Sequence, residues 1–374
     1  MKAENLQRTG SFKLRGAVAK ISSLGDRCAD GVVTGSAGNH AQAVAYAAGI
    51  RGLRCEVYMP ETAATAKMDA AVALGADVQL VGTTVDECLD AAKERARTAG
   101  LEFIHPFDDP EVVAGQGTLG LELLAAMSDI ERVVVPVGGG GLISGVAIAL
   151  KAARPEVEVI GVQVDACAPF LPSLAAGEAV AVSSALTIAD GIAVKRPGGL
   201  TLELVQRLVD EMVVVPEDDV AEAMVLLMER AKLVVEGAGA VGVAALLAGL
   251  ASASGPGKTV AILSGGNVDA GILSQIARRH ESLAGHRLVL LARIPDLPGA
   301  LAGVLSLVAA RGANLVDVQH IREGFDLHVR ETAVQLVLET RGPEHAAEVS
   351  AAVREAGYSE PRLLKRGRLR RSGA

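Results

Sequence analysis

Short runs of β-branched residues alternate with Ala- and Leu-rich stretches of helical period between residue 31 and about residue 283. This alternation is typical of repeated βα units and predicts an α/β fold with largely parallel sheets. The clearest predicted strands cover residues 32–33, 55–59, 78–81, 133–137, 157–164, 212–215 and 259–263. Several of them end in Gly, Ser or Pro. Because ligands of open α/β sheets bind beyond the carboxyl ends of strands, we expect the functional residues there.

The hydrophobic rhythm changes near residues 279–285. The pattern beyond this point predicts a strand at 287–294, a helix at 299–311, strands at 314–321 and 332–339, a helix at 344–356 and a last strand near 362–364. This βαββαβ order indicates a separate small α+β domain. We therefore predict domains at residues 1–283 and 284–366 and a basic tail at 367–374, for which a solvated end is favoured over an anion or RNA contact.

Composition narrows the function classes. Half of the 374 residues are apolar, 21% are charged, the formal net charge is −8 and there is no Trp. A compact soluble protein fits these values, whereas nucleic acid is an unfavoured partner for an acidic chain with few aromatic residues. No apolar run is long enough for a membrane span, and residues 1–5 do not form a signal peptide. Four cysteines without CxxC spacing predict neither a zinc site nor disulfides, which fits a reducing cytoplasm.

A tetraglycine follows the predicted strand at 133–137 and precedes an apolar helix. Its backbone N–H groups and the helix dipole favour binding of an anion, and phosphate is the expected ligand. Tight packing of strand against helix is the alternative for a lone glycine run. A dinucleotide loop is disfavoured because, counted from Gly139, the third glycine position of G-x-G-x-x-G holds Ser144, and no Gly-Lys-Ser/Thr completes a P-loop.

Lys13 follows Ser11 and Phe12 at the predicted opening of a helix. A lysine can form a Schiff base with an aldehyde cofactor, and burial lowers its pKa so that the amine becomes a nucleophile and then a base. Taken alone, this residue fits an ordinary surface lysine better.

Six segments together are far more specific than any one of them: residues 4–17, 36–42, 138–145, 189–191, 236–240 and 264–267. Their order and spacing resemble pyridoxal-phosphate enzymes of the tryptophan-synthase-β type (PLP fold type II), and most closely the threonine ammonia-lyases (threonine dehydratases) with one C-terminal ACT domain. The resemblance covers essentially the whole chain. It implies a cytoplasmic homo-oligomer, often a tetramer, that converts L-threonine and also L-serine to a 2-oxo acid and ammonia.

The resemblance also implies roles for individual residues. Lys13 would hold pyridoxal 5′-phosphate covalently and later remove the substrate Cα proton, and Asn39 would donate to the cofactor's phenolic oxygen. Ser264 would face the pyridine nitrogen, where a neutral hydroxyl favours elimination over transamination. The phosphate would be cradled by Gly138, Gly139, Gly140 and Gly141. The substrate carboxylate would be bound by the turn formed by Ser36, Ala37, Gly38, Asn39 and His40.

Three departures from related families refine this picture. Ala37 stands where serine racemases carry a second hydroxyl, which favours a lyase. Gln163 stands where those relatives bind a divalent ion through a glutamate, so no metal is predicted. Relatives also have a helical stretch and a strand before the lysine motif, whereas Met1 lies only twelve residues ahead of Lys13. We therefore expect the N-terminal segment of the first domain to be truncated. Glu236 fits an active-site carboxylate and a charge at a helix entry equally, and we leave it outside the predicted site.

The C-terminal region resembles an ACT module, which binds small amino acids. The resemblance implies an effector site at Asp296, Gly299 and Asn314, where a helix N-terminus receives a carboxylate. A simple αβ turn is the alternative.

Other functions remain open at this point. Within the same class, the runner-up is a serine racemase or a serine-preferring dehydratase. From a different class, the chain is an inactive amino-acid sensor that works through its ACT domain. A nicotinamide oxidoreductase built on the tetraglycine has Asp165 as its only support.

Overall fold

The computed structural model describes residues 1–183, 186–251 and 255–361. The chain divides into two compact units, Met1–Ile272 and Leu273–Ala374. No described helix has both the length and the apolar character that a membrane span requires.

The first unit is built from short strands that alternate with helices. The strands are β1 (Lys2–Ala3), β2 (Val32–Gly35), β3 (Cys55–Met59), β4 (Asp77–Leu80), β5 (Glu102–Phe103), β6 (Ile130–Pro136), β7 (Glu158–Val164), β8 (Glu211–Val215) and β9 (Lys258–Leu263). The helices are α1 (Lys13–Leu24), α2 (Asn39–Ile50), α3 (Thr65–Ala73), α4 (Val85–Ala99), α5 (Pro110–Ala126), α6 (Gly141–Ala153), α7 (Phe170–Ala176), α8 (Gly199–Leu208), α9 (Glu217–Leu226) and α10 (Gly237–Leu247), and α11 (Ala270–Leu283) crosses into the second unit.

These strands form two sheets, one of four strands in the order β4-β3-β2-β5 and one of five in the order β1-β9-β6-β7-β8. Every strand pair in both sheets is parallel, which confirms the predicted parallel α/β fold. The central strands are apolar on both faces, since Val133, Val134 and Val135 of β6 are all fully buried. Helices therefore cover both faces, as parallel sheets require.

Two strands of the first unit were not predicted. β1 and β5 have two residues each, too few to show an apolar pattern. β1 lies at the edge of the five-stranded sheet, where Lys2 and Ala3 pair with Ile262 and Leu263 of β9. The opening residues of the chain therefore contribute a strand beside β9, which ends immediately before Ser264.

The second unit contains β10 (Arg287–Pro295), α12 (Ala300–Ala310), β11 (Asn314–Ile321), β12 (Glu331–Glu339) and α13 (Pro343–Glu355). Its antiparallel sheet has the order β10-β12-β11. Val304, Val308 and Val349 of the two helices pack with Leu336 and Leu338 of β12. The strand predicted near residues 362–364 and the tail at 367–374 lie outside the described residues.

The division between the units precedes most of α11, whereas the sequence placed the boundary after this helix, at residue 284. Among the residues of α11, Ile276 is the one that is buried. An amphipathic helix after a strand resembles the last helix of a βα series in sequence, so the pattern alone assigns it to the first domain.

Candidate active site

Segments that follow the carboxyl ends of β2 and β9 meet the opening turn of α1. Ser11 forms a bridge with Gly265, and the Phe12 amide donates to the Ser264 carbonyl at 3.0 Å. The Asn267 side-chain amide donates to Asn39 Oδ1 at 2.7 Å. Residues that are far apart in the sequence therefore share one site at the edge where parallel strands end.

Lys13 is the first residue of α1, and its side chain is half-buried. Its Nζ donates to the Pro106 carbonyl at 2.8 Å and lies 5.3 Å from the centre of the Phe12 ring. Loss of hydration around the amine lowers the pKa of Lys13 to about 8, and the negative charge of Glu236 partly opposes this effect. A substantial fraction of this amine is thus neutral near pH 7 to 8, as a nucleophile or base requires.

The tetraglycine forms a tight bend, called here the glycine turn (residues 138–141), between β6 and α6. Gly140 has φ of +94°, a conformation that favours glycine. The amides of Gly139, Gly140 and Gly141 have no protein acceptor in the part of the chain that the structure describes. Unpaired amides at the N-terminus of a helix are the donor set that a phosphate group fits.

Side chains pack closely against the outside of the glycine turn. A Cβ on Gly139 would lie 2.4 Å from the Phe107 ring, and one on Gly140 would lie 2.7 Å from Phe170 Cζ. Atoms this close cannot coexist, so larger residues are excluded from both positions. The turn therefore presents backbone rather than side chains.

The turn at residues 36–40 links β2 to α2, which begins at Asn39. Two of its amides are already engaged, because the Ser36 amide donates to Tyr58 O at 2.9 Å and the Gly38 amide to Ser36 Oγ at 3.2 Å. The amides of Ala37, Asn39 and His40 have no protein acceptor among the described residues. These three are the groups of the turn that remain for a carboxylate.

The side chains of this turn differ in their surroundings. The His40 ring is buried and its Nε2 lies 3.0 Å from Ile104 O, and burial lowers the pKa of His40 to about 3. This imidazole is therefore neutral and part of the packing. Asn39 instead faces the other segments of the site, where its Nδ2 donates to Glu236 Oε1 at 2.7 Å.

Glu236, which the sequence left outside the predicted site, lies within it. Its side chain is 5% exposed, and burial, followed by the charge of Asp190, raises the pKa of Glu236 to about 7. The Asn39 bond opposes this rise by favouring the carboxylate. Gly265 leaves room for this carboxyl, because a Cβ there would lie 2.2 Å from Glu236 Oε1 and would displace it.

Ser264 follows β9 directly and is 3% exposed. Its Oγ lies 3.4 Å from the Ala238 carbonyl, a long hydrogen bond, so the hydroxyl is weakly held. No titratable side chain forms a hydrogen bond with it among the residues that the structure describes.

The sequence did not predict that residues 105–108 belong to the site. This segment contacts both Lys13 and the glycine turn. The Pro106 carbonyl accepts from Lys13 Nζ, and the Phe107 ring covers the glycine turn. His105 Nδ1 accepts from the Phe107 amide at 3.2 Å and the Asp108 amide at 2.8 Å. The His-Pro-Phe-Asp run follows the two-residue strand β5 and has no hydrophobic period. Its position in the loop before α5, which begins at Pro110, is the one sequence feature that could have indicated a functional role.

Gln163 has a structural role at the end of β7. Its Nε2 donates to Val137 O at 3.2 Å, and its Oε1 accepts from the Phe170 amide at 2.9 Å. Both ends of the amide are therefore used inside the fold. Within the described ranges, no group of three or more His, Cys, Asp and Glu side chains has a metal-binding arrangement.

The predicted effector residues lie in the second unit but not together. Asp296 and Gly299 follow β10, whose last residue pairs with Glu331 of β12. Asn314 begins β11 and pairs with Glu339, at the opposite end of β12. Because β10 and β11 run in the same direction, Asp296 follows one strand while Asn314 begins the other, at opposite ends of the sheet. The expectation of one site formed by all three residues is therefore wrong within this chain. Asp296 forms an ion pair with Arg322, and Asn314 Nδ2 donates to Glu339 Oε2 at 3.1 Å. Gly299 has φ of +89° and precedes α12 without any side-chain cap. The side chains of Asp296 and Asn314 are thus engaged. The Ala300 amide at the start of α12 donates to Leu297 O at 3.2 Å, and the amides of Leu301 and Ala302 have no protein acceptor among the described residues.

Comparisons with known proteins show the family of this chain. The family model described as "Pyridoxal-phosphate dependent enzyme" matches residues 1–265. The L-threonine ammonia-lyase of Thermotoga maritima is 47% identical over 360 residues, which cover 96% of this chain and 89% of that protein.

Two solved structures are similar to about three quarters of this chain. The processed form of threonine deaminase isoform 2 from Solanum lycopersicum is 40% identical with a TM-score of 0.69, covering 74% of this chain and 77% of that one. Maize serine racemase is 36% identical with a TM-score of 0.69, covering 76% of this chain and 87% of that one.

Proposed function

The chain belongs to the family of pyridoxal-phosphate-dependent enzymes, and on that premise we propose that it acts as an ammonia-lyase on L-threonine, giving 2-oxobutanoate and ammonia. Relatives at 46–47% identity that cover 96% of the chain carry this activity in their names. The substrate is a small amino acid, and the reaction is an elimination of the β-hydroxyl.

The described residues fit the cofactor. The glycine turn offers unpaired amides for the phosphate, and Lys13 Nζ is the amine that would hold the aldehyde carbon. When bound, pyridoxal phosphate supplies an aldehyde that captures amines and a ring that withdraws electrons from the substrate Cα. Asn39 would hold the phenolic oxygen, and Ser264 would face the ring nitrogen.

Lys13 would also move the proton in this reaction. With a pKa of about 8 its amine is neutral often enough to accept a proton from the substrate Cα. The amides of Ala37, Asn39 and His40 would hold the substrate carboxylate, which fixes the Cα beside this amine.

Elimination is favoured over racemisation by Ala37 and over transamination by Ser264. Ala37 carries no hydroxyl that could return a proton to the opposite face of the Cα. The neutral Ser264 hydroxyl does not hold a proton at the ring nitrogen as a carboxylate would. Serine racemase is therefore not the favoured function, although its fold is similar.

The observation that carries this proposal is the Lys13 amine, desolvated and linked through Pro106 to the segment that covers the glycine turn. The test is incubation of the purified, cofactor-supplemented protein with L-threonine, followed by assay of 2-oxobutanoate. Lys13→Ala should lower the rate at least about a thousandfold. Lys20→Ala, on the same helix, is the matched control and should remain active.

Borohydride reduction followed by peptide mass spectrometry gives an independent readout. The cofactor should be found on Lys13 and nowhere else. A protein that carries no reduced cofactor at Lys13 and forms no 2-oxobutanoate is not this enzyme. If it still binds isoleucine or valine, the inactive amino-acid sensor becomes the better assignment.

Further features of the protein belong to the same proposal. L-Serine, which has the same leaving group at Cβ, would be a second substrate. The second unit would be an ACT module that binds an amino-acid effector at the start of α12, beside Asp296 and Gly299. The protein would work in the cytoplasm as a homo-oligomer, with a tetramer expected from the family resemblance.

A further inference from the structure

Thr201, near the start of α8, contacts the outside of the glycine turn. Its side chain is fully buried, and its Oγ1 donates to the Gly139 carbonyl at 2.6 Å. A second acceptor, the Gly198 carbonyl, is 3.4 Å away. Because the hydroxyl has one proton, the shorter bond to Gly139 is the one it makes.

This bond determines the direction of a neighbouring amide. The Gly139 carbonyl and the Gly140 N–H belong to one trans peptide, in which they point in opposite directions. With the carbonyl directed at Thr201, the Gly140 N–H points away from Thr201. Gly140 has φ of +94°, so glycine's freedom would otherwise let this peptide turn.

Asp108 in turn holds Thr201 in place. Its Oδ1 accepts from the Thr201 amide at 3.1 Å, and its Oδ2 accepts from the Gly199 amide at 3.1 Å. A side chain from the 105–108 segment thereby caps α8. The preceding residue, Phe107, packs on Gly139 and Gly141, so one segment supports the turn both directly and through Thr201.

We propose that Thr201, held by Asp108, is a positioning residue that fixes the Gly139–Gly140 peptide so that the Gly140 amide faces the cofactor phosphate. This inference rests on the proposed function, in which the glycine turn holds that phosphate. Neither side chain is required to touch the cofactor. Their effect should therefore be confined to ligands that carry a phosphate group.

The test compares two ligands on the apoprotein: pyridoxal 5′-phosphate and pyridoxal, which has the same aldehyde and ring but no phosphate. Binding is followed by absorbance of the ligand joined to Lys13. Thr201→Val should weaken pyridoxal 5′-phosphate binding about tenfold, the effect of one hydrogen bond, and leave pyridoxal binding within about twofold. Thr201→Ser, which restores the hydroxyl, should return the affinity to within about twofold of the starting protein.

Thr340→Val is the matched control. Thr340 is also buried, and its Oγ1 donates to a glycine carbonyl, that of Gly285, at 2.5 Å in the other unit. It should lose stability without any change in the affinity of either ligand. Urea unfolding of all variants separates a loss of fold from a loss of binding.

Asp108→Asn provides a second route if Thr201→Val does not fold. It should weaken pyridoxal 5′-phosphate selectively, and in combination with Thr201→Val it should add less than about twofold, because both act on one peptide. Equal weakening of the two ligands, or an unchanged affinity for pyridoxal 5′-phosphate, would overturn the inference. Failure of the unmodified protein to bind pyridoxal 5′-phosphate at Lys13 would instead overturn the proposed function and this inference with it.

Discussion

Two ionisable groups of the site have pKa values displaced toward neutrality, and their charges oppose each other. The pKa of Lys13 is lowered to about 8 by desolvation, and that of Glu236 is raised to about 7 mainly by burial. Such displacements are typical of functional sites, because a charged group in a dry environment costs stability. They give two predictions on the apoprotein that do not depend on activity.

Lys13→Met should stabilise the apoprotein by about 1 kcal/mol at pH 7. A lysine whose folded pKa is lowered destabilises the fold while both states are charged, which is below pH 8. The substitution should recover only part of the stability that the buried charge removes, because the Lys13 side chain is half-buried and its hydrogen bond to Pro106 is lost. The advantage should shrink as the pH rises from 8 toward 10.5, as measured by urea unfolding at pH 7 and pH 9.5.

Lys20→Met is the control for this experiment. Lys20 lies on the same helix but is paired with Asp109 at 2.6 Å and Glu111 at 3.2 Å, and its pKa is raised. The free energy of unfolding of Lys20→Met should be equal to or lower than that of the unmodified protein. A loss of stability in Lys13→Met equal to that in Lys20→Met would show that the Lys13 amine is well solvated.

Glu236→Gln should remove a pH dependence of stability between pH 5 and pH 7. A carboxyl whose folded pKa is raised keeps its proton in the folded state after the unfolded chain has lost it, so stability falls as the pH rises from about 4.5 to about 7. The fall amounts to as much as about 3 kcal/mol. The unfolding free energy of the variant should therefore decrease less than that of the unmodified protein over this range.

Glu122→Gln shows whether the effect is specific. Hydrogen bonds from Arg15 lower the pKa of Glu122 to about 2, so this group is fully ionised in the folded state at pH 5 and above. Its removal should leave the slope between pH 5 and pH 7 nearly unchanged. Identical slopes in all three proteins would mean that Glu236 titrates normally.

For single residues, the sequence predicted candidate site residues better than it predicted the contacts around them. Lys13 and the tetraglycine carry their chemistry in local motifs. Glu236 was left undecided because its partner, Asn39, is 197 positions away in the sequence. His105 and Thr201 were not recognised because their roles are hydrogen bonds with backbone atoms that the sequence pattern does not place beside them.

At the scale of elements, the site depends on how closely backbone packs against neighbouring segments. The predicted strands agree with the structure to within a few residues, because buried parallel strands are β-branched on both faces. The packing of the 105–108 segment on the glycine turn could not be predicted, because it is a tertiary contact and hydrophobic periodicity indicates only secondary structure.

Gly139→Ala should destabilise the protein by about 2 kcal/mol, since its Cβ would meet the Phe107 ring at 2.4 Å. A second change, Phe107→Ala, makes room and should recover part of that loss. Gly140→Ala should be as costly, but its Cβ meets Phe170 and Thr201 and its φ is positive, so Phe107→Ala should not help it. Unfolding free energies of the single and double variants decide this, and equal rescue of both glycine variants would contradict the assigned contacts.

At the scale of the whole molecule, the remaining question is what the second unit contributes. Its three-stranded antiparallel sheet and two helices form a core of their own, around Val304, Leu336 and Val349. The element order from residue 287 was predictable because each strand and helix has a clear period. Its regulatory role was inferred only from resemblance and remains a proposal.

An effector at the second unit should bind the uncapped start of α12 and be measurable on the full chain. We expect L-isoleucine or L-valine to give a calorimetric binding signal that Asp296→Ala weakens about tenfold, since Asp296 would bind the amino group of the effector beside the amides of Leu301 and Ala302. Asn314→Ala, at the opposite end of the antiparallel sheet, should leave the signal unchanged. By linkage, an effector that changes the affinity for L-threonine by some factor must have its own affinity changed by the same factor when the substrate is bound. Binding that leaves the affinity for L-threonine unchanged would make the second unit an amino-acid site that does not regulate substrate affinity. The absence of any binding would remove the proposed effector site altogether.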